Sequence, residues 1–443
     1  MLNMGPFLVS IDATALLTAM PEISSQLGTS MTFASLALVI YTLMFAGLIL
    51  PLGWVMDRTD GFLLLKLGYL LFAVASLVCM IAPDIFWLCA GRCLQGAGGA
   101  ILYATPPVLI KRAVPQQLQD RMYADLVVIS RLGMLLGLPV GGFIAEHLGW
   151  HWIFGANLPL SVIGVALMLR KTAPPPALDT ERPPLDIQGT VLSFAACGLF
   201  IFILNQGKMM GWGSPVIIGA IILFAASSWF FIRRQTVCRH PLIDLTLFKL
   251  RQYRAAMLTI SIVLLAGSGL SFMYPFFLTS IAGLSIDKTG LFLAIEPLFA
   301  VMLGSVATSA AIRFGSERLI SGTMVIRIGT LLALAFMVKI PSLAILALIF
   351  VISGIVAGLQ FGPLTASVMA AVPPEKAGSG GALFSQARLL AQMSGIVLFE
   401  ALYTQMETVA PDTGGIRFTA IFLLAAAMFT AALFSARGLR VNN

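Results

Sequence analysis

The ionisable side chains that lie deep inside long apolar stretches are the residues of this chain best suited to chemistry. Asp12 lies about ten residues into the first stretch, and Arg92 lies about seven residues into the fourth. At 1.5 Å per helical residue, these positions are roughly 15 Å and 10 Å below a bilayer surface. A carboxylate whose arginine partner comes and goes has a variable affinity for protons. The two residues therefore suggest a proton-coupling site, with a static structural ion pair as the alternative.

Two further acids at membrane depth have several roles open to them. Glu296 lies about eight residues into the tenth stretch. It carries a second proton, meets a cationic substrate, or pairs with an arginine such as Arg327. Asp125 lies close to Arg121 near the start of the fifth stretch. We expect a gate or a loop ion pair at Asp125.

The composition identifies the class of protein that positions these residues. Hydrophobic residues make up 59% of the chain and charged residues only 10%, against about 25% charged in an ordinary soluble protein. The mean hydropathy is +0.96. These values exclude a soluble enzyme, a disordered protein and a collagen-like fibre, and the continuous apolar runs exclude a membrane β-barrel. The sequence therefore predicts an all-α membrane protein.

Fourteen apolar stretches are each long enough to cross a bilayer as a helix, which takes about 20 residues. The first stretch has no basic leading segment and no small-residue cleavage site, so we expect a retained helix rather than a signal peptide. The predicted spans cover residues 2–21, 33–55, 61–82, 85–110, 120–145, 151–170, 187–206, 214–233, 254–280, 288–312, 318–338, 341–370, 379–403 and 415–436.

The distribution of basic residues predicts the orientation of these spans. With both termini in the cytoplasm, the inner side holds 19 basic residues, in loops and near the inner ends of spans, and the outer side holds 4, as the positive-inside rule requires. We therefore expect a multi-pass protein of the cell (inner) membrane with both ends cytoplasmic. The same bias accounts for the net charge of +8 without a nucleic-acid partner.

The spans divide into six, two and six, and repeated six-span halves are typical of transporters. We predict an N-terminal six-helix bundle over residues 1–170, a linker with two extra spans over 171–253, and a C-terminal six-helix bundle over 254–443. Two connectors flank the extra spans. Residues 171–186 are rich in proline and charge, and HPLIDLTLFKL in the second connector favours a short amphipathic helix on the membrane surface.

Arg131 and Arg388 lie about eleven and ten residues into the fifth and thirteenth spans, which are the same element of the two halves. We expect them to face one cavity from opposite sides, where two arginines can hold a carboxylate-bearing substrate bidentately. The alternative is that each arginine caps helix carbonyls or pairs with an acid. Polar residues expected to line the same cavity are Tyr103, Tyr274, Gln360, Gln386 and Gln392.

Several motifs resemble those of the major facilitator superfamily. Residues 52–62, LGWVMDRTDGF, are similar to the family's G-x-x-x-D-R-x-G-R-K loop between helices two and three. Gly53, Asp57 and Arg58 match this pattern, whereas residues 60–62 depart from its basic end. The resemblance implies that the matching residues close the cytoplasmic side.

Other motifs extend the resemblance over nearly the whole chain. The stretch SIDATALLTAMPEI (10–23) resembles the first-helix aspartate motif, and CAGRCLQGAGGA (89–100) resembles the fourth-helix arginine motif. LGWHWIFGANLP (148–159), PPLDIQG (183–189) and NQGKMMGWGSP (205–215) resemble the fourteen-helix branch of drug:proton antiporters. The family's antiporters carry a glycine-rich fifth-helix motif, which is similar to Gly133, Gly137, Pro139, Gly141 and Gly142.

The resemblance implies a major facilitator fold of two six-helix bundles around a central cavity, plus two extra helices from the middle of the sequence. It implies rocking between inward-open and outward-open states, with proton entry driving substrate outward. Small residues let membrane helices approach one another, so we expect the glycines of the fourth-helix and fifth-helix motifs to let helices four and five approach closely.

No enzymatic site is predicted. The segment GAGGA (96–100) is not followed by Lys-Ser/Thr, and three histidines at loops do not build a Ser-His-Asp set. The five cysteines lack histidine partners for a metal site. We expect no cofactor and no metal, and the expected partners are a small-molecule substrate, protons and the lipid bilayer, without ATP.

The favoured function is a proton-coupled antiporter that exports amphipathic small molecules, including drugs. Three alternatives stay open. They are an exporter of an endogenous anionic metabolite such as a siderophore or a lipid, a proton-coupled importer, and a membrane sensor that does not transport.

Overall fold

The computed structural model describes residues 2–29, 31–169, 186–238, 241–284, 286–409 and 414–439. These residues are almost entirely α-helical, as predicted. Three short 3₁₀ helices cover Leu245–Lys249, Pro374–Lys376 and Arg437–Leu439. The α-helices are α1 Met4–Gln26, α2 Met31–Met56, α3 Gly61–Met80, α4 Ile85–Ala113, α5 Gln116–Leu148, α6 His151–Met168, α7 Ile187–Met210, α8 Pro215–Val237, α9 Arg251–Ser280, α10 Ile286–Phe314, α11 Ser316–Met337, α12 Leu343–Ala370, α13 Ala377–Val409 and α14 Gly414–Ala436.

Twelve helices in the described part of the chain are long and apolar enough to cross a membrane, which confirms a multi-pass helical protein. The two α-helices outside this set are α1 and α10. In α1 the apolar segment is Met4–Leu17, which is shorter than the about 20 residues of a full span. The predicted number of fourteen spans is therefore not confirmed.

Capping residues and glycine set several helix ends. Asp60 and Asp84 precede α3 and α4, and their carboxylates accept hydrogen bonds from the N–H groups of Phe62 and Trp87 at 2.8 and 3.0 Å. These caps satisfy first-turn donors that have no partner inside the helix. Gly149, between α5 and α6, has a φ of 87°, a conformation that favours glycine. Asp60, Asp84 and Gly149 therefore mark helix ends at places where the hydropathy of the sequence changes little.

Several helices extend past their predicted ends. α4 continues to Ala113 instead of residue 110, and α5 begins at Gln116 instead of residue 120. α13 covers Ala377–Val409 instead of residues 379–403. Adding a residue to an existing helix costs little, so polar residues beyond each apolar run continue the turns. Hydropathy therefore locates the apolar part of each helix and underestimates its length.

The predicted amphipathic helix in HPLIDLTLFKL is wrong for most of that segment. Among its described residues, 241–250, Leu245–Lys249 alone is helical, as a 3₁₀ helix. The N–H of Ile243 donates to Gln235 Oε1 at 3.1 Å, so a side chain takes the place of an intrahelical acceptor. Residues 170–185, which include most of the first connector, and residues 239 and 240 lie outside the described residues.

The chain divides into two compact units. The first comprises Met1–Pro115, Ile129–Leu245 and Val372–Gln386, and the second comprises Gln116–Val128, Thr246–Ala371 and Ala387–Asn443. Thus α5 begins in the second unit and continues in the first, whereas α13 begins in the first unit and continues in the second. The sequential division into three domains stays a prediction.

In the first unit, α4 packs against α2 and α3, and α3 packs against α6. The extra helices α7 and α8 pack against each other, and α7 packs against α2. The Phe194 ring on α7 occupies the space that a Cβ at Gly47 on α2 would need. Gly47 therefore allows the extra pair to lie directly on the bundle.

In the second unit, α10 packs against α12, and α14 packs against α9 and α11. The ring of Phe277 on α9 lies with its centroid 5.5 Å from that of Phe418 and 5.1 Å from that of Phe422, both on α14. Edge-to-face packing at these distances is favourable. These aromatic residues form part of the core of the second unit.

Candidate functional site

Asp12 and Arg92 form a buried ion pair in the first unit. Arg92 Nη1 on α4 lies 2.7 Å from Asp12 Oδ2 on α1, and both side chains are fully buried. An arginine and a carboxylate at this distance form a charge-assisted hydrogen bond. The structure thus brings together the two residues that the sequence selects for coupling.

Two side-chain amides complete the hydrogen bonds of the Asp12 carboxylate. Asn157 Nδ2 on α6 donates to Asp12 Oδ1 at 2.7 Å, and Gln95 Nε2 donates to the same oxygen at 3.1 Å. Gln95 also accepts from Arg92 Nη1 at 2.6 Å and donates to Ser76 Oγ on α3 at 2.9 Å. An ionised carboxylate only accepts hydrogen bonds. This set of donors from α4 and α6 therefore fits the ionised form of Asp12.

Helix α2 encloses the guanidinium group of Arg92. Arg92 Cζ lies 4.0 Å from the centroid of the Tyr41 ring, which is within the range of a cation–π interaction. Arg92 Nε lies 3.5 Å from Ala37 O, and Nη2 has no hydrogen-bond acceptor among the described residues. The buried charge of Arg92 is therefore compensated mainly by the Asp12 carboxylate.

A partly buried ion pair lies in the second unit. Arg327 Nη1 and Nη2 on α11 each donate to Glu296 Oε1 on α10 at 3.1 Å. Arg327 Nη1 also lies 3.4 Å from Ser353 O on α12. The contact supports pairing with an arginine, one of the three roles considered for Glu296.

The carboxylate of Asp57, just beyond α2, accepts hydrogen bonds from the first turn of α13. The N–H groups of Gly378 and Ser379 donate to Asp57 Oδ1 and Oδ2 at 2.7 and 2.9 Å. A carboxylate at a helix N-terminus satisfies free N–H groups and compensates the positive end of the helix dipole. Gly53 makes room for this approach, because a Cβ there would lie 2.7 Å from Ala382 Cβ on α13. All of these residues belong to the first unit.

Arg112 at the end of α4 holds the same carboxylate in place. Its Nη2 forms an ion pair with Asp57, and its Nη1 donates to Met56 O at 2.5 Å. Its Nε lies 3.4 Å from Pro374 O, just before α13. Burial raises the pKa of the Asp57 carboxyl, whereas Arg112 and the N–H groups of α13 oppose that rise.

The other two predicted gate residues have different surroundings. Arg58 Nη1 donates to Trp54 O at 3.0 Å, and its guanidinium carbon lies 4.4 Å from the centroid of the Trp54 ring. These contacts are with α2. Asp125 is partly buried on α5 and belongs to the second unit. A gate role for Arg58 and Asp125 stays a prediction.

Three glycines of the predicted α5 motif face α1. A Cβ at Gly133 would lie 2.5 Å from Phe7 O, and one at Gly137 would lie 2.7 Å from Ile11 O. A Cβ at Gly141 would collide with the backbone of Ala15, whereas Gly142 has nothing within 4 Å of the same position. The predicted close packing of α5 is therefore made with α1. Pro139 lies inside α5.

The residues predicted to line a cavity are divided between the two units. Tyr103, Arg131 and Gln386 belong to the first, and Tyr274, Gln360, Arg388 and Gln392 belong to the second. Gln386 Nε2 donates to Cys197 Sγ on α7 at 2.7 Å, and the Tyr274 ring packs against Phe350 with centroids 4.9 Å apart. Their part in a substrate cavity stays a prediction.

Sequence reasoning missed Asn157, Arg112 and Asp186 as site or positioning residues. Asn157 lies within a stretch that resembles the fourteen-helix branch, and its amide is a polar group well inside a predicted span. The depth of this polar side chain within a predicted span was the signal that could have identified Asn157 as a functional residue. Arg112 and Asp186 lie at predicted helix ends, where charged residues are common and indicate little by themselves.

The family model described as Major Facilitator Superfamily matches residues 2–396. The chain belongs to the major facilitator superfamily. The resemblance inferred from the motifs is therefore confirmed for the superfamily. Members of this superfamily are transporters, which carry small-molecule substrates and often couple to protons. The chain is accordingly a membrane transporter and not an enzyme.

Relatives of this facilitator differ in the substrates that their names give. The riboflavin transporter RibZ of Clostridioides difficile (strain 630) is 27% identical over 407 residues, which cover 91% of this chain and 87% of RibZ. MdtD of Yersinia pestis (strain Pestoides F), which is named as a multidrug resistance protein, is 28% identical over 426 residues, which cover 92% of this chain and 88% of MdtD.

Solved structures of the superfamily share the fold of this facilitator. The human organic anion transporter MFSD10 (TETRAN) matches with a TM-score of 0.71 and 14% identity, over 98% of this chain and 97% of the other. The proton:xylose symporter XylE matches with a TM-score of 0.64 and 16% identity, over 98% of this chain and 93% of the other. At this level of identity the matches establish the fold alone.

Proposed function

We propose that this facilitator is a proton-coupled antiporter that exports amphipathic small molecules by alternating access. The observation that carries the proposal is the fully buried Asp12–Arg92 ion pair with its amide donors. The similarity to MdtD, which is named for multidrug resistance, supports the substrate class.

Protonation of Asp12 has a large consequence at this site. It removes the negative charge that compensates Arg92, and an uncompensated buried charge costs about 3–5 kcal/mol. The protein lowers that cost by rearranging the helices that hold the network, or by admitting water to Arg92. Proton binding at Asp12 therefore favours one conformation over another, which is the requirement for coupling. The alternative is a pair that stays ionised and only holds α1 to α4.

Glu296 is proposed as a second coupling acid. Its pairing with Arg327 fits a purely structural role as well. Contact with a cationic substrate is the third role. Because Glu296 keeps 14% of its side-chain surface exposed, compared with 0% for Asp12, it is the more accessible of the two acids for a substrate.

We propose that all fourteen α-helices cross the cell (inner) membrane, as in the fourteen-helix branch of drug:proton antiporters. Both termini then lie in the cytoplasm. At 1.5 Å per residue, the 23 residues of α1 and the 29 residues of α10 extend about 34 and 43 Å. Both lengths exceed the roughly 30 Å hydrocarbon core. The acid within each helix is paired with an arginine, which lowers the cost of placing it at membrane depth.

In this orientation, the end of α2 and the start of α13 face the cytoplasm. We propose that Asp57, with Gly53 and Arg112, holds α13 against α2 when the cytoplasmic side is closed. Opening that side requires the N–H groups of Gly378 and Ser379 to leave the carboxylate.

A second candidate is a transporter of one metabolite, which the similarity to RibZ supports. In this candidate the metabolite is an anion, and Arg131 and Arg388 are the residues proposed to hold it.

The decisive experiment uses purified protein in proteoliposomes with an imposed pH gradient. Ethidium and riboflavin serve as a cationic dye and a metabolite probe. We expect proton-driven accumulation of ethidium, and we expect Asp12→Asn to abolish accumulation while exchange of ethidium at equal concentrations continues. Accumulation by Asp12→Asn equal to that of the parent protein would contradict the coupling role. Transport of riboflavin alone would favour the second candidate.

A further inference from the structure

We propose that the extra helices α7 and α8 act as a second latch on the start of α13, through the ion pair between Asp244 and Lys376. Lys376 Nζ lies 2.5 Å from Asp244 Oδ2. Lys376 immediately precedes α13, and Asp244 lies in the connector that follows α8. All of these segments belong to the first unit. The inference rests on the proposed closure of the cytoplasmic side by α13.

The connector that contains Asp244 is held by hydrogen bonds near the start of α7 and the end of α8. Asp186 caps α7 by accepting the N–H of Gly189 at 3.0 Å. The same carboxylate accepts from Arg234 Nε and Gln235 Nε2 at the end of α8, at 3.1 and 3.2 Å. Asp186 and Gln235 are both 4% exposed. This buried cluster therefore joins the start of α7 to the end of α8.

Gln235 also fixes the position of the backbone next to Asp244. Its Oε1 accepts the N–H of Ile243 at 3.1 Å, and Ile243 is the residue before Asp244. A backbone held one residue away limits where the Asp244 carboxylate can lie. Asp186 and Gln235 are therefore positioning residues that act on α13 through Asp244.

The charge of Lys376 explains why an acid is needed there. A helix N-terminus carries a partial positive charge, so a basic residue beside it is unfavourable. Asp244 compensates Lys376, while Asp57 compensates the N–H groups of Gly378 and Ser379. Two carboxylates from different elements thus hold one helix start.

The extra pair also contacts α13 farther along its length. Gln386 Nε2 on α13 donates to Cys197 Sγ on α7, and α7 in turn packs on α2 through Phe194 and Gly47. In the first unit, α13 therefore contacts α2 near Gly53 and contacts α7 at Gln386. The Asp244–Lys376 contact is lost if the start of α13 moves away, so the contact favours the closed state.

The test measures access to the start of α13 with a reporter cysteine, Ser379→Cys, after the five native cysteines are replaced by serine. Inside-out vesicles are labelled with a membrane-impermeant maleimide. We expect Lys376→Gln and Asp244→Asn each to raise the labelling rate about two- to fivefold, the range of a partly exposed ion pair. The exchanged pair, Asp244→Lys with Lys376→Asp, should return the rate to that of the parent.

One control variant and one double variant isolate the latch. Lys249→Gln removes an exposed positive charge from the same connector and should leave the rate unchanged. Gln235→Met breaks the link to Ile243, and combining it with Lys376→Gln should add little, because both act through one contact. A full additive effect would contradict the proposed route through Gln235.

Asp57→Ala separates failure of the latch from failure of the gate. If Asp57→Ala raises labelling but Lys376→Gln and Asp244→Asn do not, the latch proposal is wrong and the proposed gate stands. If none of the three raises labelling, both are wrong. Failure of the exchanged pair to restore the rate would also overturn the latch. Labelling needs no substrate, so each result is independent of what the protein transports.

Discussion

Asp12 accepts hydrogen bonds from one guanidinium group and two amides, and each donor stabilises its ionised form. Asn157 is the donor contributed by α6, whereas Arg92 and Gln95 both lie on α4. The amide of Asn157 therefore connects α6 to the protonation of α1. Because an amide has both a donor and an acceptor end, rotation of Asn157 also lets it accept a hydrogen bond from a protonated Asp12.

This reasoning predicts a specific defect in Asn157→Leu. The variant keeps the side-chain volume and leaves the carboxylate one donor short, at a cost of about 1–3 kcal/mol. We expect proton-driven accumulation of substrate to fall at least several-fold, with exchange at equal concentrations retained. The measurement is the ratio of the two rates in proteoliposomes.

Ser161→Ala is the matched control for Asn157→Leu. Ser161 is buried one turn later on α6, and its hydroxyl has no hydrogen-bond partner among the described residues. We expect its ratio of accumulation to exchange to equal that of the parent. Equal loss of both rates in Asn157→Leu would mean that Asn157 supports the fold and not coupling.

At the scale of helices, the close contact of α5 with α1 predicts opposite results for adjacent glycines. In Gly141→Ala the new methyl group meets the backbone of Ala15, which cannot move aside as a flexible side chain does. Overpacking of this kind costs about 1–3 kcal/mol. We therefore expect a lower melting temperature and reduced transport. Gly142→Ala enters open space and should match or exceed the parent in stability, because alanine favours helix.

The contact between α2 and α13 predicts the effect of Asp57→Ala. The variant removes the acceptor for two N–H groups of α13 and leaves Arg112 without its carboxylate. Contacts made only in the closed state are lost, so the open state becomes more populated. We expect faster maleimide labelling of Ser379→Cys from the cytoplasmic face. Arg58→Gln, which changes a side chain in contact with its own helix, should have a smaller effect.

The sequence predicts individual ionisable residues at membrane depth better than it predicts their partners. Asp12 and Arg92 are evident because each is a charge inside an apolar run. The donors on Asp12 from Asn157, and on Asp57 from Gly378 and Ser379, join residues far apart in the chain. Which polar atoms meet across helices depends on helix rotation and on close approaches such as that at Gly53. Hydropathy carries no information on either.

For the whole molecule, a membrane-spanning α10 is the feature that decides the orientation of every later helix. Its apolar residues surround Glu296, whose charge is paired with Arg327. If α10 spans the membrane, Ala282 before it and Ser316 after it lie on opposite sides. We predict that Ala282→Cys is labelled by an impermeant maleimide from outside the cell, and that Ser316→Cys is labelled only in inside-out vesicles. Labelling of both from one side would exclude a spanning α10 and with it the fourteen-span topology. Because 19 basic residues lie on the side assigned to the cytoplasm against 4 on the other side, labelling of both from outside the cell would also place Arg313 and Arg318 against the positive-inside rule.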